Sequence, residues 1–211
     1  MKTVFVNPER CIGCRQCEFA CAVEHSHSRD PSRAVFEKPL PRPRIHVSPG
    51  RAYNTSFPNR CRHCNPAPCH QVCPTGAISR DTDHDLVLLD PGQCIACAMC
   101  AIVCPFDAIT FHEQGNGMPP RLAALKCDGC VERVRHGKVP ACAEACKTDA
   151  LVYGELNELI ATGRASESSA LLISAAESEA LATRPPDNVA GWRAWGKATV
   201  ELNEGVHHSR H

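Results

Sequence analysis

Sixteen of the 211 residues are cysteine, and their spacing is the chemistry-bearing feature of the chain. They form four groups of four with none left over. The first, C-I-G-C-R-Q-C-E-F-A-C, holds Cys11, Cys14, Cys17 and Cys21. The second holds Cys61, Cys64, Cys69 and Cys73, the third Cys94, Cys97, Cys100 and Cys104, and the fourth Cys127, Cys130, Cys142 and Cys146. Thiols this dense form disulfides or bind metal. Disulfides need an oxidising compartment. The N-terminus, M-K-T-V-F-V-N-P-E-R, shows no apolar signal core and no twin arginine, and no run approaches a membrane span. The expectation is a cytoplasmic protein whose cysteines are metal ligands.

Structural zinc favours cysteine pairs separated by a longer arm, often with histidines. Three cysteines at two-residue gaps, then a fourth after three residues, instead match the C-x2-C-x2-C-x3-C run of iron–sulfur proteins, whose fourth thiolate reaches the other cluster of a pair. Groups one and three keep that spacing; groups two and four widen the second gap. Sixteen thiolates provide for four [4Fe–4S] clusters. Pro74 and Pro105 follow the last cysteines of groups two and three only, which suggests pairing two with three and one with four. Exchanging fourth ligands within those pairs assigns Cys11, Cys14, Cys17 and Cys146 to cluster 1, and Cys61, Cys64, Cys69 and Cys104 to cluster 2. Cluster 3 takes Cys94, Cys97, Cys100 and Cys73, and cluster 4 takes Cys127, Cys130, Cys142 and Cys21.

Other chemistry is poorly represented. With 23 basic and 23 acidic residues the formal charge is zero, which argues against nucleic-acid binding. Gly115 and Gly117 lack the third glycine of a dinucleotide loop, Pro120 standing in its place. No Walker loop and no nucleophile with its base is present, so no catalytic residue is expected. His63 lies between Cys61 and Cys64, but the ligand count is complete without it; a supporting neighbour of the ligands or a surface residue is expected. Each cluster with its thiolates carries about −2 when oxidised. Gly13 and Gly129 let backbone N–H groups approach the sulfurs, and Arg10, Arg15, Arg60, Arg62, Lys126 and Lys147 flank the motifs as candidate counter-charges or as solvated side chains.

The elements that must position these thiols are short. An α+β fold is expected: two nested dicluster-ferredoxin modules of β-hairpins and short helices over residues 1–155. Hairpins are predicted around turns at Asp81–Asp85 and Gly115–Asn116–Gly117, and helices starting near Cys17, Cys69, Cys100 and Cys142. Residues 24–60 are a proline-rich insertion, read as an extended connector or edge strand, or as a partner contact. Residues 156–211 lack cysteine and are expected to form a helical C-terminal extension. A helix is expected over Ser166–Thr183, then a break at Pro185 and Pro186 and a second helix carrying Trp192 and Trp195. This extension is expected to fold back or to serve docking or self-association, and the terminal H-H-S-R-H is read as a frayed end.

The four-motif pattern, with the opening N-P-E-R-C-I-G-C-R-Q-C-E-F-A-C-A-V-E-H-S, resembles the four-cluster ferredoxin-like electron-transfer subunits of oxidoreductase complexes. The similarity covers residues 1–155, and the opening is most similar to the electron-transfer protein serving carbon monoxide dehydrogenase. The resemblance implies the nested pairing and a non-catalytic relay of low-potential electrons. A catalytic subunit stands at one end: carbon monoxide dehydrogenase, formate dehydrogenase, or a tungsten or molybdenum aldehyde oxidoreductase. An acceptor stands at the other: a flavoprotein, ferredoxin or hydrogenase. An iron–sulfur sensor or structural assembly protein is the alternative.

Overall fold

The computed structural model describes residues 2–50, 55–114 and 121–162. The chain divides into two units, Met1–Leu159 and Ile160–His211. The predicted helix over Ser166–Thr183, the proline break, both tryptophans and the turn at Gly115–Gly117 lie outside the described residues.

Strand β1 (Lys2–Val6) leads through a single 3-10 turn to the first motif and helix α1 (Gln16–Glu24). Helix α2 (Pro31–Ala34) and strands β2 (Ile45–Pro49) and β3 (Ser56–Arg60) make up the proline-rich insertion. Helix α3 (Pro68–Gln71), strands β4 (Ile78–Asp81) and β5 (Leu86–Leu89), helix α4 (Met99–Ile102) and strands β6 (Ile109–Gln114) and β7 (Arg121–Lys126) follow. Helices α5 (Val131–Arg135) and α6 (Ala141–Glu144) and strand β8 (Leu151–Glu155) close the unit.

The strands pair antiparallel in twos: β1 with β8, β2 with β3, β4 with β5, and β6 with β7. Both predicted ferredoxin hairpins are present. In the β4–β5 turn the Asp81 side chain accepts from the Asp83 N–H at 3.0 Å, and Asp85 adopts a left-handed φ of 58°, the conformation that short polar residues tolerate best. The β1–β8 pair sets Val4 opposite Tyr153 and joins the two ends of the unit. The insertion contributes more than an outer connector. Its I-H-V alternation turns Ile45 and Val47 inward against Val4, Cys17 and Cys21, as period-two patterning dictates. None of the described helices is long and apolar enough to cross a membrane.

Candidate metal centres

The third cysteine of every group takes the same place in the fold. Cys17, Cys69, Cys100 and Cys142 are each the second residue of a helix: α1, α3, α4 and α6. None of these helices has a side-chain N-cap. The first N–H groups of a helix have no partner within it and favour negative charge. Here they are left to the thiolates.

The C-x-x-C loops repeat a second device. The residue before the second cysteine is left-handed in all four: Gly13 (φ 72°), His63 (50°), Ala96 (55°) and Gly129 (70°). That turn aims N–H groups inward. His63, Ala96 and Gly129 donate to the sulfurs of Cys61, Cys94 and Cys127 at 3.5, 3.4 and 3.4 Å. Gly129 is needed for space as well as conformation, since a Cβ there would lie 2.6 Å from a Leu86 methyl. A third device follows the last cysteine. Gly76, Asp107 and Asp149, three residues beyond Cys73, Cys104 and Cys146, all have positive φ. Burial pushes the Cys73 thiol up, but N–H groups of Ile78, Thr75 and Ala77 and the Thr75 hydroxyl outweigh it and the net shift is down. Cys146 repeats this with Leu151, Thr148 and Ala150. Group one departs from the plan, because α1 runs on past Cys21 to Glu24.

The sixteen thiols are free and gather as follows. One cavity is lined by Cys61, Cys64, Cys69 and Cys104, with Val87, Ile109 and Phe106. Another is lined by Cys73, Cys94, Cys97 and Cys100, with Ile78, Leu89 and Ala124. Cys21 lies in the field of Cys127, Cys142 and Cys130, all from the fourth group more than a hundred residues away. Cys11 and Cys146 pack on the apolar cluster that contains Cys17. Cys14 and Cys97 are exposed; eight of the sixteen are buried.

This donor set fits an iron–sulfur core. Burial, then the neighbouring Cys142, pushes the Cys17 thiol up to about 12. Burial likewise takes Cys130 to about 12 and Cys142 to about 11. Thiols crowded in a dry interior ionise together only when a strongly cationic core replaces their protons. The reverse mismatch is also present. Arg60 and Lys126 are each only 3% exposed, and neither has a carboxylate partner among the described residues. The Arg60 Nε and His63 Nε2 atoms are buried without a hydrogen-bond partner. Buried cations without an anion are costly, and an anionic cluster–thiolate unit beside them removes that cost.

Sequence reasoning did not separate the six candidate counter-charges. Arg10, Arg15 and Lys147 are exposed. Arg62 stacks between Phe57 and Phe106, 5.6 and 5.7 Å from the ring centres. Arg60 and Lys126 are the interior pair. His63 is buried, not at the surface; its Nδ1 accepts from the Val87 N–H at 3.0 Å. Burial, then Lys126 and Arg60, lowers its pKa to about 2, so the ring is neutral.

Asp128, the residue after Cys127, was missed as well. His25 Nε2 and Arg44 Nη1 contact it at 3.1 and 2.7 Å, and the Cys130 N–H donates at 2.9 Å. Burial raises its carboxyl, but these donors outweigh burial and hold it far below the usual range. A depressed carboxyl contributes stability that is complete above its ordinary value of 3.8 and lost as pH falls toward the folded value. Asp128→Asn is expected to cost about 3 kcal/mol by leaving Arg44 unpaired. Thermal unfolding of the iron-loaded protein should show the same penalty from about pH 8 to about pH 5.

Comparison with known proteins agrees with this chemistry. Residues 52–156 match the 4Fe-4S dicluster domain and residues 4–21 the 4Fe-4S binding domain. The chain is 42% identical over 162 residues to an iron-sulfur protein of Rhodospirillum rubrum, an alignment covering 73% of this chain and 82% of that protein. It is 39% identical over 165 residues to the electron transport protein HydN of Escherichia coli K12, covering 74% and 89%. Protein NrfC of the same organism is 36% identical over 149 residues, covering 70% and 62%. The short helices and two-stranded antiparallel sheets make an α+β dicluster fold, and the chain belongs to the family of multi-cluster, ferredoxin-like [4Fe–4S] electron-transfer proteins.

Proposed function

We propose that residues 1–155 form two nested dicluster modules holding four [4Fe–4S] clusters, with the ligand sets assigned above from the cysteine spacing, and that the chain relays electrons without catalysing a substrate reaction. When bound, each cluster supplies reversible one-electron chemistry. The role of the chain is to hold the thiolates, exclude water from the inner sites and keep the end sites within reach of partners.

The observation that carries this reading is the way the cysteines pack on one another. Cys94 and Cys100 share an apolar cluster with Cys69, Cys73 and Cys104. Cys61 packs with Cys127 and Ala108. Cys17, Cys21 and Cys142 share a third cluster with Cys11 and Cys146. The order that follows is cluster 3, cluster 2, cluster 4, cluster 1. The two exposed cysteines, Cys14 and Cys97, then belong to the two end sites. Ile12 and Ile95, beside them, are 72% and 63% exposed. In the inner motifs the same position holds Arg62 and Asp128, both half-buried and both engaged by neighbours. Apolar side chains bared beside the exposed ligands at both ends suit a relay with two docking faces.

One face would meet a low-potential catalytic subunit, such as a carbon monoxide, formate or aldehyde oxidoreductase, and the other a flavoprotein, ferredoxin or hydrogenase. A reducing compartment, the cytoplasm, suits sixteen free thiols. Anaerobically purified full-length protein should contain about 16 iron and about 16 acid-labile sulfide per chain. All four sites should accept and return an electron with the fold intact. Cys73→Ala should lower iron to about 12 and abolish the signal of the Cys94 site while sparing the Cys61 site. Loss from the Cys61 site instead would refute the crossed ligand sets, and a cluster that cannot be reduced without unfolding would favour a structural role.

A further inference from the structure

Arg60 and Lys126 occupy one sequence slot, the residue just before the first cysteine of groups two and four. Each is the last residue of a strand, β3 or β7, and each is only 3% exposed. In groups one and three that slot holds Arg10 and Gln93, both exposed. Arg10 faces Asp149 at 3.8 Å and Gln93 donates to Asp90 at 3.0 Å. Among the described residues, buried Lys or Arg side chains therefore accompany the inner sites alone.

Their contacts span those two sites. Arg60 donates to the Val4 carbonyl at 3.0 Å and to the Cys127 sulfur at 3.7 Å. Its charge also acts on Cys142 and Cys61. Lys126 Nζ donates to the carbonyls of Val87 and Cys127, and its charge acts on Cys61, Cys69 and Cys127. Thiolates of both inner sites thus sit beside the same pair of positive charges.

We propose that Arg60 and Lys126 form a buried cationic bridge that raises the reduction potentials of the two inner clusters above those of the outer two, so that the first electrons to enter settle in the middle of the chain. The inference rests on the four-site assignment. Its physics is Coulombic. One electron arriving from a low-potential donor adds one negative charge to a site; no bond breaks and no proton is needed. A cation held away from water stabilises that charge far more than a solvated one. Arg10 is screened and faces a carboxylate, so the outer site beside it gains little. The carbonyls that hold Arg60 and Lys126 fix their position and carry no compensating full charge.

The test is a mediated redox titration of the full chain, followed by electron paramagnetic resonance with iron counted on each sample. Arg60→Gln and Lys126→Gln should each lower the reduced-to-oxidised ratio of the inner pair at least tenfold at fixed potential, a shift of 59 mV for one electron. Lys126→Arg should restore the parent values, which a purely structural role for the side chain would not require. The unmodified protein supplies an independent check if a variant fails to assemble. The two signals that appear first should resist broadening by a water-soluble dysprosium chelate, whereas the last two, from the sites with exposed thiols, should broaden. Unmoved midpoints in iron-replete Gln variants, or early signals that broaden, would overturn the bridge. Fewer than four clusters in the parent would instead overturn the ligand assignment beneath it.

Discussion

Stripping iron from this protein with a chelator under reducing conditions is expected to unfold the Met1–Leu159 unit rather than leave an empty shell. Of the 25 buried apolar residues described, eight are cysteine and eight are alanine, and none is aromatic. A core of this kind buries little apolar area per residue, and at about 25 cal/mol per Å² it cannot offset the ordering of the backbone. The secondary structure adds little independent stability, since two-stranded sheets and helices of nine residues or fewer are marginal in water. The inorganic cores would supply both the missing interior volume and the bonds that join distant segments, so binding energy and folding energy become one quantity. Far-ultraviolet circular dichroism recorded against iron content should therefore fall in step with iron. A fully apo sample that kept a cooperative thermal transition would sink this account.

A single charge at either end is expected to silence exchange with one partner and spare the other. Ile12→Glu places a carboxylate at a side chain that is 72% exposed, and Ile95→Glu does so at one that is 63% exposed. Neither removes buried packing, so iron content and unfolding temperature should stay near the parent's. Central apolar anchors of an interface are worth about 2 kcal/mol or more, a factor of about 30 in affinity. A carboxylate facing an anionic cluster adds repulsion to that loss. Stopped-flow reduction by a low-potential donor protein and reoxidation by an acceptor should separate the two variants: each slows one reaction at least tenfold and leaves the other unchanged. If both variants slow the same reaction, the two faces are not separate entry and exit points.

Cysteine spacing made much of this protein legible in advance because ligand geometry is local. A third cysteine two residues into a helix and a left-handed residue before the second cysteine are short-range demands, visible in C-I-G-C and C-D-G-C. The two ferredoxin hairpins carried their own turn residues. What escaped was either distant or dependent on burial. The β1–β8 pair joins Lys2–Val6 to Leu151–Glu155, and neither apolar run names the other across that separation. Burial of Arg60 and Lys126 could not be told from exposure of Arg10, since each is simply a cation before a cysteine. His63 reads in the sequence as surplus to the ligand count, and its depth depends on the strand carrying Val87. The inward face of the insertion did have a signal, the I-H-V alternation at Ile45–Val47, which the surrounding prolines obscured.

The antiparallel ribbon between the first and last strands also sets a timetable for synthesis. Translation delivers Lys2–Val6 well before Leu151–Glu155, which must leave the ribosome before the earlier strand has its neighbour. The strands of the interior pairs lie close to one another in sequence and face no such wait. Completion of this outer ribbon therefore waits on Leu151–Glu155, and a chain truncated before Leu151 leaves Lys2–Val6 without its neighbour.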